Sequence, residues 1–135
     1  MRLFKGISSI WIIVLVSCQS NDTLTGNFAC CYNGLYGELY FKADSMFLVT
    51  GMETFSGWNK FTIKNDTIYH LTFTIPKPTK AKINFIDDNR FELKYAEDST
   101  AMIFSRLQEP TNLERNINLY LKNFRKRRDA LDCGY

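Results

Sequence analysis

Residues 26–41 read Gly26-Asn27-Phe28-Ala29-Cys30-Cys31-Tyr32-Asn33-Gly34-Leu35-Tyr36-Gly37-Glu38-Leu39-Tyr40-Phe41. Asn33-Gly34 is a pair that a two-residue hairpin turn favours, because both central positions need positive φ and these two residues tolerate it. The turn splits the stretch into two short runs, Gly26 to Tyr32 and Leu35 to Phe41. In the second run Leu35, Gly37, Leu39 and Phe41 share one face, and Tyr36, Glu38 and Tyr40 share the other. A period of two belongs to a strand.

The same grammar repeats downstream. Ser45–Thr50, Trp58–Ile63, Thr67–Ile75, Lys80–Ile86, Arg90–Tyr95 and Thr100–Arg106 are separated by turn clusters such as Lys64-Asn65-Asp66, Pro76-Lys77-Pro78 and Asp87-Asp88-Asn89. Links this short force antiparallel neighbours, since parallel pairs need crossovers of about a dozen residues. Within Thr67–Ile75 the alternation is expected to turn Tyr69, Leu71, Phe73 and Ile75 inward, leaving Ile68, His70, Thr72 and Thr74 outside. His70, the chain's one histidine, is thereby expected to face solvent. Gly51 to Gly57 is the longest loop; it carries Met52 and Phe55 and suits a mouth lid or a contact loop.

The tail changes period. Thr111 and Glu114 have capping-box spacing. Leu113, Ile117, Tyr120, Leu121, Phe124 and Leu131 then recur at helical spacing. A helix over 111–129, laid on the outside of the sheet, is expected, with Arg125-Lys126-Arg127-Arg128 as its solvated cationic end or, alternatively, as a contact for anionic lipid head groups.

Ahead of the strands, Arg2 and Lys5 precede an apolar run from Ile7 to Val16, which is signal-peptide length rather than the roughly twenty residues of a membrane span. Leu15-Val16-Ser17-Cys18 resembles the bacterial lipobox. That resemblance implies that residues 1–17 are removed and that Cys18 becomes the lipidated first residue. It implies a tether over 18–23 that holds the strands of 24–107 and the helical tail of 108–135 at the membrane of the bacterial cell envelope through the lipid. Gln19 rather than Asp after the cysteine points to the outer membrane by analogy with enteric sorting.

The chain has 135 residues, 17 basic and 14 acidic; Arg2 and Lys5 leave with the signal, so 15 face 14 afterwards. No nucleic-acid footprint remains in that balance. Cys30, Cys31 and Cys133 are left for other chemistry in a compartment where disulfides persist. Adjacent residues on a strand point to opposite faces, so Cys133 is expected to bridge one of Cys30 and Cys31, not both. A metal site lacks ligands: there is no paired-cysteine motif and one distant histidine. No cofactor is implied.

Eight meandering strands followed by a helix resemble the lipocalin family, and in particular the small lipocalin-like lipoproteins of Gram-negative bacteria. Lipocalins open with Gly-x-Trp on the first strand and place an arginine at the end of the last, where it stacks on the indole and closes the floor. Gly26-Asn27-Phe28 and Arg106 occupy the matching places here, with Phe28 where the family has tryptophan. The resemblance covers about residues 24–130 and implies a mainly β fold: an eight-stranded antiparallel up-and-down barrel with a C-terminal amphipathic helix. It also offers a parallel for a bridge from Cys133 to the barrel.

An eight-stranded interior is either filled by side chains or holds one small ligand. The expected lining is Leu39, Phe41, Phe61, Tyr69, Leu71, Phe73, Phe85 and Phe91, and so many rings favour filling. Nothing resembles a catalytic constellation: there is no Gly-x-Ser-x-Gly turn and no phosphate loop, and Asp87-Asp88 sits in a hairpin turn. Two functions are expected from different classes. One is a tethered module for a small apolar or amphipathic ligand; the other is an envelope protein–protein interaction module (immunity, inhibitor or assembly) with a filled core. Asp22-Thr23-Leu24, Asp44-Ser45-Met46 and Asp66-Thr67-Ile68 also fit an Asp-Ser/Thr-apolar pattern for O-glycosylation of exported proteins, although such pairs are common in turns.

Overall fold

A computed structural model describes residues 24–71, 77–97, 99–109 and 113–134. Residues 1–23, which include Cys18 and the tether, lie outside the described residues, as do Phe73 and Thr111. Eight strands follow in chain order: β1 Gly26–Tyr32, β2 Leu35–Lys42, β3 Ser45–Thr50, β4 Asn59–Lys64, β5 Thr67–Leu71, β6 Pro78–Asp87, β7 Arg90–Tyr95 and β8 Ala101–Arg106. Each pairs antiparallel with the next, and β8 returns to β1, closing the barrel. One helix, α1 (Ile117–Ala130), follows. The eight antiparallel strands and the C-terminal helix are what the alternation, turn spacing and tail period led us to expect, and the closed barrel is what the resemblance to lipocalins implied.

The turns set which way every side chain points. Asn33 (φ 49°) and Gly34 (φ 74°) make the tight turn that puts Tyr32 opposite Leu35. Asn65 (φ 49°) and Asp66 (φ 56°) make an equivalent turn, so Lys64 pairs with Thr67, Ile63 with Ile68 and Phe61 with His70. Cross-strand partners share a face. Because Phe61 points inward, Ile68 and His70 do too, and the expected facing of β5 is inverted: Tyr69 is 44 % exposed and Leu71 38 %. A single residue of turn length decides this, since the side-chain period is two.

The closed end of the barrel is packed with rings. Phe28 meets Phe91 edge to face at 4.8 Å, Phe91 stacks on Phe104 at 5.1 Å, and Phe41 meets Phe61 at 5.2 Å. Such pairs add about 0.5–1.5 kcal/mol each beyond area burial. The Arg106 guanidinium lies 4.6 Å from the Phe28 ring centre and donates to the Thr25 carbonyl at 3.2 Å. Gly26 makes room for it: at φ 109°, any Cβ there would overlap Arg106 Nη1.

A second core lies outside the barrel. Tyr36, Tyr40, Phe47 and Val49, on the outer faces of β2 and β3, pack against Tyr120 and Phe124 of α1. The helix starts later than expected, at Ile117, where Asn116 caps it by accepting from the Leu119 amide at 3.0 Å. Glu114 does not cap α1; it sits in the preceding turn and pairs with Lys42 at 3.0 Å. Cys31, pointing outward from β1, bridges Cys133 beyond the helix, while Cys30 points inward as a free buried thiol.

Candidate functional site

Above the ring-packed floor the interior is hollow. Two ladders are short: β3 and β4 share only Ser45–Lys60 and Met46–Asn59, and β1 and β8 only Phe28–Arg106 and Ala29–Ser105. Beyond these pairs the walls diverge, and a cavity of about 510 Å³ opens at the end where β1 gives way to its hairpin. That volume lies within the range of small-molecule pockets.

The cavity is graded from apolar to polar. Leu39, Met46, Leu48, Met102 and Phe104 make its lower wall, with the Cys30 thiol among them. Burial pushes that thiol up to about 12, so it behaves as a small apolar group. Nearer the mouth come hydroxyls. Tyr32 OH and Thr100 Oγ1 lie 3.2 Å apart and bridge the gap between β1 and β8. The segment after β3 folds back to complete the wall. Phe55 forms a bridge to Val49, and Ser56 exchanges hydrogen bonds with Leu48 through its amide (3.0 Å) and its hydroxyl (2.8 Å).

His70 stands in this wall rather than in solvent. Its Nδ1 donates to the Leu71 carbonyl at 2.7 Å, and its Nε2 lies 3.2 Å from Tyr95 OH. Burial holds the imidazole below its ordinary range, outweighing the carbonyl contact, so it is neutral and Nε2 accepts from the tyrosine.

Among the described residues of the expected lining, Leu39 alone borders the cavity, and Phe73 lies outside the described residues. Phe41, Phe61 and Phe91 belong to the packed floor, Tyr69 and Leu71 lie outside, and Phe85 is 44 % exposed beyond the floor, where β6 is irregular between Phe85 and Asp87. The rings and the hollow occupy opposite ends. Phe28 and Arg106 stack on each other at the floor.

A second polar cluster escaped the sequence reading. Glu38, on the outer face of β2, is fully buried beneath α1. It accepts from Arg127 Nε at 2.7 Å and Nη2 at 2.9 Å, from Tyr36 OH at 2.5 Å, from Tyr120 OH at 3.3 Å and from Tyr40 OH. Burial, with the carboxylate alongside, raises the Tyr36 and Tyr40 hydroxyls well above their ordinary range; for Tyr120 burial dominates. All three are therefore protonated donors. Three of the four residues of the basic run are thus engaged rather than only solvated, while Lys126 is exposed. Arg127 serves Glu38, while Arg125 grips Glu53 at 2.6–2.7 Å and Arg128 donates to the Gly51 carbonyl at 3.0 Å. The hydrogen bond from Arg125 holds the Glu53 carboxyl below its usual range. These contacts pin residues 51–53 to the helix, and with them the start of the segment that completes the cavity wall.

Among the described residues, no group of three or more His, Cys, Asp or Glu is placed to hold a metal, and no helix is long and apolar enough to cross a membrane. Comparison with known proteins finds no matching family model, curated protein or solved structure.

Proposed function

We propose that this chain is a tethered, lipocalin-like binding module of the bacterial envelope that takes up a small apolar or amphipathic ligand. The cavity carries this reading: about 510 Å³ with an apolar lower wall and a hydroxyl-bearing mouth, above a floor already sealed by phenylalanines. A module without a ligand is better served by filling that space, because empty apolar volume costs stability. The stack of Arg106 on Phe28 supports the likeness to lipocalins. The lipobox-like Leu15-Val16-Ser17-Cys18 supports anchoring through a lipid on Cys18.

Titration with the neutral fluorescent probe N-phenyl-1-naphthylamine tests the binding reading. Saturable uptake by the wild type, lost in Leu48→Trp while circular dichroism is unchanged, is the expected result. A wild type that takes up no probe and no simple amphiphile overturns it. Anchoring is tested separately: Cys18→Ser should abolish lipid labelling and release the protein from membranes, and continued membrane retention refutes the lipobox reading.

A further inference from the structure

Resting on the binding reading, we infer that the cavity selects single-chain amphiphiles whose head group carries no negative charge, and discriminates against fatty acids. The composition of the mouth carries this. Among the described residues that line the cavity there is no lysine and no arginine. Among those described lining residues the one charged side chain is Glu97, exposed at the rim just after β7. The remaining polar groups are hydroxyls, such as those of Thr50, Thr54, Thr79 and Thr100, and the His70 imidazole. Arg125, Arg127 and Arg128 of the helix end are turned to the outer core and to residues 51–53, where Glu53, Glu38 and the Gly51 carbonyl occupy them, and the exposed Lys126 does not line the cavity. Lys77, on the connection between β5 and β6, is exposed and does not line the cavity.

A chain seated on Leu39, Met46, Leu48 and Met102 leaves its head among the hydroxyls. A carboxylate head there meets no cation to offset the water it gives up. It also meets the charge of Glu97, a repulsive element of the kind that sets specificity. A glycerol or sugar head exchanges its water for hydroxyl partners without that conflict. An ammonium head gains Glu97 as a partner.

Three ligands of equal chain length separate these cases: monodecanoylglycerol, decylamine and decanoate, each competing with N-phenyl-1-naphthylamine below its micelle concentration at near-neutral pH and low salt. The glycerol ester and the amine are expected to displace the probe at concentrations at least about tenfold lower than decanoate. Glu97→Lys, at an exposed position, should weaken the amine and strengthen decanoate, each measured relative to the glycerol ester in the same variant. Decanoate competing as well as the glycerol ester in the wild type overturns the inference while leaving the binding reading intact. An unchanged order in Glu97→Lys overturns it equally. A wild type that binds neither probe nor any of the three defeats the binding reading itself, and this inference with it.

Discussion

Replacing Arg127 by Met tests the clasp between helix and barrel. The guanidinium supplies two of the hydrogen bonds to Glu38, whose side chain is 0 % exposed, and is itself only 13 % exposed. Removing one partner of a buried pair costs roughly 3–5 kcal/mol, because the remaining charge stays desolvated without its counter-ion. The hydroxyls of Tyr36, Tyr40 and Tyr120 remain as donors and soften the loss, so the lower end applies, about 3 kcal/mol. For a domain of this size that corresponds to a melting point lower by about 12 °C. Urea unfolding followed by near-ultraviolet circular dichroism, with the disulfide intact in both proteins, measures it. The double variant Glu38→Gln/Arg127→Met removes the stranded charge and should recover more than about 1 kcal/mol of the loss. A single variant within about 1 kcal/mol of wild type, or a double variant that costs the sum of its parts, refutes the reasoning.

Other outcomes follow from the same contacts. His70 is buried and neutral, with its folded pKa below the ordinary value of about 6.5. The unfolded chain therefore binds the extra proton first. The associated stability is present above the unfolded value and is lost as pH falls through the folded one. His70→Gln should flatten the decline in urea midpoint between about pH 7 and pH 5; an unchanged slope excludes His70 as its source. Cys31–Cys133 closes a loop spanning 102 positions, so Cys133→Ser should cost about 2–5 kcal/mol, read as a lower urea midpoint. Native Cys30, pushed up to about 12, should resist iodoacetamide until the barrel unfolds, as mass spectrometry of the alkylated chain would report. Gly26→Ala should destabilise by about 1–3 kcal/mol, because φ 109° is strained for alanine and its Cβ would displace Arg106 from Phe28.

The fold was legible because its signals are local. Asn33-Gly34 announces its turn, and alternation after it places Leu39 and Phe41 of β2 on the inner face, while the facing of Cys30 and Cys31 on β1 stayed open. The facing of β5 was not legible from alternation alone. Tyr69, Leu71 and Phe73 form the more apolar set, yet the barrel selects Ile68 and His70. The deciding signal is Asn65-Asp66 taken as a two-residue turn rather than as the end of a three-residue one, which would have carried the facing of Phe61 across to His70.

Glu38 was hidden for a different reason. Tyr-x-Glu-x-Tyr on one strand face reads as solvent-facing until a helix covers it. The clue lay in charge balance across distance: a covered carboxylate needs a cation, and the stripe that docks α1 brings Arg127 to it. The cavity was the least legible feature. A count of rings predicts filling, but says nothing of how the rings divide between the two ends of a barrel.

The outward Cys31 and inward Cys30 have a consequence for how the protein matures. Before β1 finds its place in the ladder, two neighbouring thiols offer themselves to Cys133 on equal terms. Once β1 is paired with β2, one thiol is sealed inside the barrel and the other lies beside the helix end. The pleat of the strand therefore proofreads oxidation. A bridge closed after the barrel forms is the right one, whereas a bridge closed early onto Cys30 must be reopened. An isomerase or a slow oxidant would raise the yield of native protein, and deleting the Cys30 thiol would remove the need for either.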